Sequence, residues 1–172
     1  MSSPPATRAT AASPRLRSEE PVGSFSETET GVWIGLLETH KRLTRTLNAE
    51  LEAEHGISLS ALELLSRLSV AEGQVLRLTD LADRSGLSLS RVSRIVDALE
   101  ARGLVERRRC PEDRRARNAG LTPAGGALLA AAQVTHSEIV ETQFFAQVEP
   151  AELAALAAVF GRLAPGAGPS CG

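Results

Sequence analysis

Several residue types are scarce in this chain of 172 residues, and each scarcity narrows the range of possible folds. Aromatic residues make up only 3%, with no tyrosine, whereas alanine and leucine abound. A chain rich in Ala, Leu, Arg and Glu and poor in aromatic and β-branched residues favours helix over strand. We therefore expect a mainly α protein, and 42% hydrophobic with 23% charged residues supports a core inside a soluble surface.

Apolar runs and reactive motifs are missing as well. No segment reaches the roughly 18 apolar residues that span a bilayer, and no secretory signal is recognisable at the N-terminus. The two cysteines, Cys110 and Cys171, lack metal-ligand spacing, and there is no phosphate-binding glycine loop, His-Glu-x-x-His or Cys-x-x-Cys motif. We expect a cytoplasmic protein that is not an enzyme, with no metal, no cofactor and no membrane partner.

The positive charge is concentrated in one segment. The net charge is -2, yet residues 77–117 hold 11 Arg against 7 Asp and Glu, and 18 of the 19 basic residues are Arg. The planar guanidinium suits phosphate and guanine contacts. A solvated charged face is the alternative interpretation of such a cluster.

The apolar pattern divides the chain into an N-terminal arm (1–27), a helical domain (28–163) and a C-terminal tail (164–172). Long amphipathic helices are predicted at about 30–55, before Gly56, and at 123–163, where a break precedes Pro150. Between them lies a predicted lobe, about 57–122, whose first helix is capped by Ser58 or Ser60.

This lobe contains a predicted helix-turn-helix. Thr79 is a suitable N-cap for a short helix that ends at Gly86, and a further helix follows from Leu87-Ser88 to Gly103. Val92, Ile95, Val96 and Leu99 would face its core side. The outer face would present small hydroxyls and arginines to the major groove, and we assign to DNA contact Ser88, Ser90, Arg91, Ser93 and Arg94.

A predicted two-stranded β wing follows the second helix. Residues 104–109 and 116–121 alternate sufficiently for strands around a polar loop. Asn118, Ala119 and Gly120 fall in the returning strand, which we expect to be short or mobile. Thr122-Pro123 then provides an N-cap and a first-turn proline for the next helix.

This arrangement resembles the multiple antibiotic resistance regulator (MarR) family of winged helix-turn-helix transcription regulators. The resemblance covers about 31–163 and rests on Arg102-Gly103-Leu104-Val105-Glu106-Arg107, Asp113-Arg114-Arg115 and Leu121-Thr122-Pro123-Ala124-Gly125. It implies a homodimer, joined through its N- and C-terminal helices, that binds a pseudo-palindromic operator in double-stranded DNA and acts as a repressor. It also implies that Arg115 enters the minor groove, oriented by Asp113, and that phosphate contacts come from Arg107, Arg109 and Arg114.

The resemblance further implies a small aromatic effector that releases the DNA. Trp33, Leu37 and His40 on the first helix, with Leu64 and Leu68 on the second, are the candidate ligand-binding residues, although the leucines and Trp33 could equally form core or dimer interface. Cys110 lies beside Arg107 to Arg109, whose charge favours thiolate, so redox sensing is a weaker hypothesis. A ligand-insensitive regulator and a winged-helix protein-interaction module stay open as alternatives.

Overall fold

The computed structural model describes residues 25–109 and 117–164. Their contacts divide the chain into the units Met1–Leu37 and Glu38–Gly172. The described ranges hold nine α-helices and β-strands, besides short 3-10 turns at Glu72–Gln74 and Phe145–Gln147. They are α1 (Glu27–His55), α2 (Leu59–Ser69), β1 (Val75–Arg77), α3 (Leu78–Ser85), α4 (Leu89–Ala101), β2 (Val105–Arg109), β3 (Arg117–Leu121), α5 (Pro123–Gln143) and α6 (Pro150–Leu163). The predicted mainly α fold with a helix-turn-helix and wing is confirmed.

The sheet has one strand more than the predicted two-stranded wing. Its order is β1-β3-β2, and both pairings are antiparallel. The returning strand, expected to be short or mobile, is β3; it is the central strand, and its five residues pair with β2 on one side and with β1 on the other. Small residues suit this place: Ala119 is fully buried, and the Arg108 side chain passes over Gly120.

The helix starts follow local hydrogen bonding. Ser58, Ser88 and Thr122 each accept a hydrogen bond from the backbone N–H three residues later, which satisfies a donor that the first turn leaves unpaired. Thr79, in contrast, is not the cap of α3. That helix begins at Leu78, one residue before Thr79, because β1 leads directly into it. Its N-cap is Arg77, whose side chain makes no capping hydrogen bond.

The core lies between α2, α3, α4, α5 and the sheet. Leu65, Leu81, Val92 and Val96 have no exposed surface, and Leu99 and Leu129 close the cluster from α4 and α5. The apolar positions predicted for α4 therefore face inward, with Ile95 half-buried at the margin.

Within the described residues, no single helix is long and apolar enough to cross a membrane. The segments Pro123–Gln147 and Pro150–Leu163 meet that criterion only together, and they are bent by 110° at their junction.

The wing and α5 are joined by an unusually close contact at Gly125. A β-carbon on this residue would lie 2.0 Å from the carbonyl oxygen of Leu104 and 2.9 Å from a methyl carbon of Leu121. Thr122 lies at the same junction: its hydroxyl donates to the Gly103 carbonyl at 2.8 Å and accepts from the Gly125 N–H at 3.0 Å. The Leu-Thr-Pro-Ala-Gly segment therefore fixes where α5 leaves the sheet.

Substituting Gly125 by Ala should destabilise the fold, since the new methyl group collides with backbone that cannot move without breaking the sheet. We expect Gly125→Ala to lower the free energy of unfolding by about 1 to 3 kcal/mol. Gly126→Ala is the matched control, because no atom lies within 4 Å of its β-carbon position and alanine is the better helix former. Urea unfolding at one protein concentration measures both; equal stability of the two variants would show that the close contact imposes no constraint.

Candidate nucleic-acid interface

The outward face of α4 carries the residues predicted from the sequence. Ser88, Ser90, Arg91 and Arg94 are exposed, and Ser93 is half-buried. The Ser88 hydroxyl accepts from the Arg91 N–H at 3.3 Å and lies 3.2 Å from the Ser90 hydroxyl. The first turn of α4 therefore presents two neighbouring hydroxyls beside two arginines.

Arg91 and Arg94 differ in their partners from Arg67, Arg107 and Arg108, which pair with carboxylates. Arg91 donates to the Ser60 hydroxyl at 3.2 Å, and Arg94 donates to the Ser90 carbonyl at 3.4 Å. Neither forms an ion pair with a described carboxylate. No described carboxylate therefore neutralises either guanidinium, and most of the N–H donors of each are available to an external acceptor.

Leu89 is a residue of this surface that the sequence analysis missed. It is the first residue of α4, and its side chain is 48% exposed between Ser88 and Ser90. The spacing gave no signal for this, because Leu89 lies three residues before Val92 and seven before Val96 and so continues the core pattern of α4; it is the exposure of this first residue of the helix that places it on the surface.

Arg107 is held inside the molecule. Its guanidinium pairs with Asp97 and with Glu100, the latter at 3.1 Å, and its backbone N–H also donates to Glu100 at 3.1 Å. The side chain is 23% exposed, and its Nη1 is buried without a hydrogen-bond partner among the described residues. Because its donors are directed at α4, we assign Arg107 to the attachment of the wing and no longer include it among the DNA contacts.

Arg108 has a single partner on the same strand. It pairs with Glu106 at 2.6 Å, with both side chains about half exposed. In the wing, backbone pairing is described as far as Arg109 opposite Arg117. The Arg109 side chain and the predicted tip residues Cys110, Asp113, Arg114 and Arg115 lie outside the described residues.

The predicted effector residues are divided between the two units of the chain. Leu64 and Leu68 are fully buried in the core, because they lie on the α2 face that packs inward. In the other unit, Trp33 and Leu37 are 54% and 47% exposed, and His40 on the same helix is exposed. An open cavity of about 380 Å³ instead lies between α2 and α5 and is lined by Leu59, Leu62, Glu63, Ser66, Gln133 and His136.

The described residues contain no group of three or more His, Cys, Asp or Glu side chains that could hold a metal ion. The outward face of α4 offers cationic and hydroxyl donors. Such a surface can bind phosphates and base edges.

Comparison with known proteins gives consistent matches. A profile described as the MarR family matches residues 55–116. The chain is 30% identical to AbsC, a MarR family transcriptional regulator from Streptomyces coelicolor, over 82% of this chain and 95% of that one, with a TM-score of 0.74. It is 29% identical to Sco3205, a MarR family transcriptional regulator from the same organism solved in complex with DNA, over 89% and 95% of the two chains, with a TM-score of 0.77.

A curated relative matches over a shorter region. The uncharacterized HTH-type transcriptional regulator YdgJ of Bacillus subtilis (strain 168) is 36% identical over 83 residues, which are 48% of this chain and 49% of that protein. The match thus spans about half the length of that curated relative.

The two wing arginines should differ in their contribution to stability. Arg107→Gln removes charged hydrogen bonds and leaves two carboxylates facing each other, so we expect a loss of about 1 to 3 kcal/mol in the free energy of unfolding. Arg108→Gln breaks one exposed pair and should cost no more than about 1 kcal/mol. Urea unfolding of both variants at one concentration decides the point, and a smaller loss for Arg107→Gln than for Arg108→Gln would refute the assigned attachment.

Proposed function

Because the chain belongs to the MarR family of transcriptional regulators, we propose that it is a homodimeric repressor that binds a pseudo-palindromic operator in duplex DNA. The observation that carries this proposal is the exposed face of α4, where Arg91 and Arg94 stand without acid partners beside serine hydroxyls. As a DNA-binding regulator, the protein would act in the cytoplasm.

The chemistry of this face fits the major groove. The groove admits one α-helix, and guanine presents two acceptors there that an arginine fork can bind together. The Ser88, Ser90 and Ser93 hydroxyls are short enough to donate to a base edge or to a phosphate. The relative Sco3205, solved with DNA, supports the proposal because the alignment covers nearly its whole length.

The wing extends the contact beyond the major groove. We propose that Arg115 enters the minor groove, where a narrow groove concentrates negative potential, and that Asp113 orients its guanidinium. Arg109 and Arg114 would then contact phosphates on either side. Each phosphate neutralised adds about 0.9 to the slope of binding affinity against salt.

The dimer is supported by apolar surface on the terminal helices. On α6, Leu153, Val159, Phe160 and Leu163 are between 38% and 71% exposed. In the N-terminal unit, Val32, Trp33 and Ile34 are each more than half exposed. A second copy of the chain would cover these side chains, and patches of this kind usually mark an interface.

A small aromatic effector completes the proposal. A ligand that favours a dimer with wrongly spaced recognition helices weakens DNA binding, whereas one that binds both forms equally changes nothing. The α2–α5 cavity offers an imidazole, an amide and leucine side chains to an aromatic ring, and the Glu63 carboxylate in its lining is paired with Arg67 at 2.7 Å. The exposed residues Trp33, Leu37 and His40 are the alternative location.

The proposal predicts a dimer with paired half-sites. Sedimentation equilibrium at micromolar concentration should give twice the chain mass, and a footprint on operator DNA should cover two half-sites about 10 to 10.5 base pairs apart, centre to centre. A monomer in solution, or protection of one half-site alone, is incompatible with this proposal.

Substitutions of arginines on α4 and on the wing should weaken DNA binding in different ways. Arg91→Ala and Arg94→Ala should each cost about 1 to 3 kcal/mol of binding on the operator and relax the base preference at one position. Arg115→Ala should weaken binding most where the flanking minor groove is narrow. Anisotropy titrations on operator and random duplexes distinguish the two effects; equal losses on both duplexes for all three variants would mean that none of these side chains reads a base.

Salicylate should release the operator at millimolar concentration or below if an aromatic effector exists. His136→Ala should reduce its potency if the α2–α5 cavity is the site, and Trp33→Ala should do so if the first helix is. A tenfold loss of DNA affinity requires about 1.4 kcal/mol of differential binding. Failure of any small aromatic acid to release DNA would favour a ligand-insensitive regulator.

A further inference from the structure

Arg102 connects the end of α4 to the end of α1. It is the residue immediately after α4, and its guanidinium donates to the Gly56 carbonyl at 2.6 Å and to the His55 carbonyl at 2.9 Å. Carbonyls at a helix C-terminus lack partners within the helix, and a cation is favoured there by the helix dipole. Arg102 supplies both the donors and the charge.

The end of α1 is itself fixed to α5. The His55 imidazole Nε2 lies 2.9 Å from the Thr135 hydroxyl, which donates to Glu54 at 2.8 Å. Since the hydroxyl hydrogen is directed at Glu54, the imidazole is the donor in the first contact. Arg102 therefore attaches α4 to a point that hydrogen bonds already hold between two long helices.

The chain on the other side of Arg102 leaves little freedom. Gly103 adopts φ 69°, and the N–H of Leu104 donates to the Leu99 carbonyl at 3.0 Å, so the backbone reverses at once into β2. The C-terminal end of α4 is thereby fixed to α1 by Arg102 and to the wing by Arg107.

We propose that Arg102 is a positioning residue that sets the direction of α4 relative to the end of α1 without contacting DNA. The 13 residues of α4 span about 20 Å, so a tilt of about 10° moves its far end by about 3.5 Å. That displacement exceeds the tolerance of a hydrogen bond to a base. In the dimer it also changes the separation of the two recognition helices, and the proposal therefore rests on the proposed function.

The test measures the DNA affinity of Arg102→Gln for two kinds of operator. In one the half-site spacing is the wild-type optimum, and in the other it differs from that optimum by one or two base pairs. Arg45→Gln is the matched control, because Arg45 is exposed on α1 and its substitution removes the same charge. We expect Arg102→Gln to bind the optimal operator about tenfold more weakly, with an unchanged salt slope and a flatter dependence on spacing. Arg102→Lys should lie between it and the wild type, because one ammonium can reach one carbonyl; Arg45→Gln should match the wild type.

Three results would overturn the assignment. If the slope of DNA affinity against salt were lower by about 0.9 per recognition helix in Arg102→Gln than in the wild type, Arg102 would be a phosphate contact. The same proportional loss at every spacing, in Arg102→Gln and Arg102→Lys alike, would indicate only a lower folded fraction. Wild-type affinity in Arg102→Gln would remove the role altogether. If the wild-type protein itself binds no duplex selectively, the proposed function fails, and that result is distinct from the other three.

An independent observation concerns Leu89, whose side chain is half exposed in the first turn of α4. The first residues of a recognition helix approach the base edges, and the thymine methyl is the only apolar group that the base pairs present in the major groove. We infer that Leu89 contacts a thymine methyl and so specifies thymine at one position of each half-site.

Replacing the operator thymines by deoxyuridine, one pair of symmetry-related positions at a time, tests this contact. Deoxyuridine at the pair of positions that Leu89 contacts should lower the wild-type affinity by about fourfold per half-site, as expected for a buried methyl group. The same replacement should have no effect on the affinity of Leu89→Ala. Val70→Ala is the control, because Val70 is 84% exposed on another helix end. Tolerance of deoxyuridine at every position, or an undiminished effect in Leu89→Ala, would overturn the inference.

Discussion

Burial of one face of α4 is the constraint on which the rest of the surface depends. Val92 and Val96 are fully buried, and Leu99 is nearly so. Because the helix has 3.6 residues per turn, burial of these side chains places Ser90, Arg91 and Arg94 on the opposite, outward face. A rotation of the helix that exposed the valines would cost about 1.5 to 3 kcal/mol for each side chain, which makes the orientation of the polar face a consequence of the core.

Arginine has two separate uses in this protein, and partners distinguish them better than charge does. Arg102 and Arg107 are directed into the molecule, at helix-end carbonyls and at the carboxylates of Asp97 and Glu100. Among the described residues, the side chains of Arg91 and Arg94 each donate a single hydrogen bond, to the Ser60 hydroxyl and to the Ser90 carbonyl of the same helix. The first pair orients α4, and the second pair has donors to offer outside the molecule. Mutation of either pair would weaken DNA binding in the proposed function, but for different physical reasons.

Sequence periodicity predicted what depends on local pattern, and it missed what depends on distant partners. The core face of α4 and the caps Ser58 and Thr122 follow from the residues of single helices, and all are confirmed. The strand β1 has only three residues and exists because β3 offers it a free edge, and Arg107 owes its role to acids seven and ten residues away. Leu64 and Leu68 were candidates for a ligand pocket, yet α2 is covered on the side they occupy, which its own sequence does not reveal.

The central claim is that the outward face of α4 reads base sequence as one of a symmetric pair. Selection of bound duplexes from a random library, followed by sequencing, measures this directly at a salt concentration that suppresses non-specific binding. We expect enrichment of an inverted repeat whose halves are centred about 10 to 10.5 base pairs apart. Retention without an enriched sequence, disappearing steadily as salt rises, would contradict it, because such binding needs only phosphates.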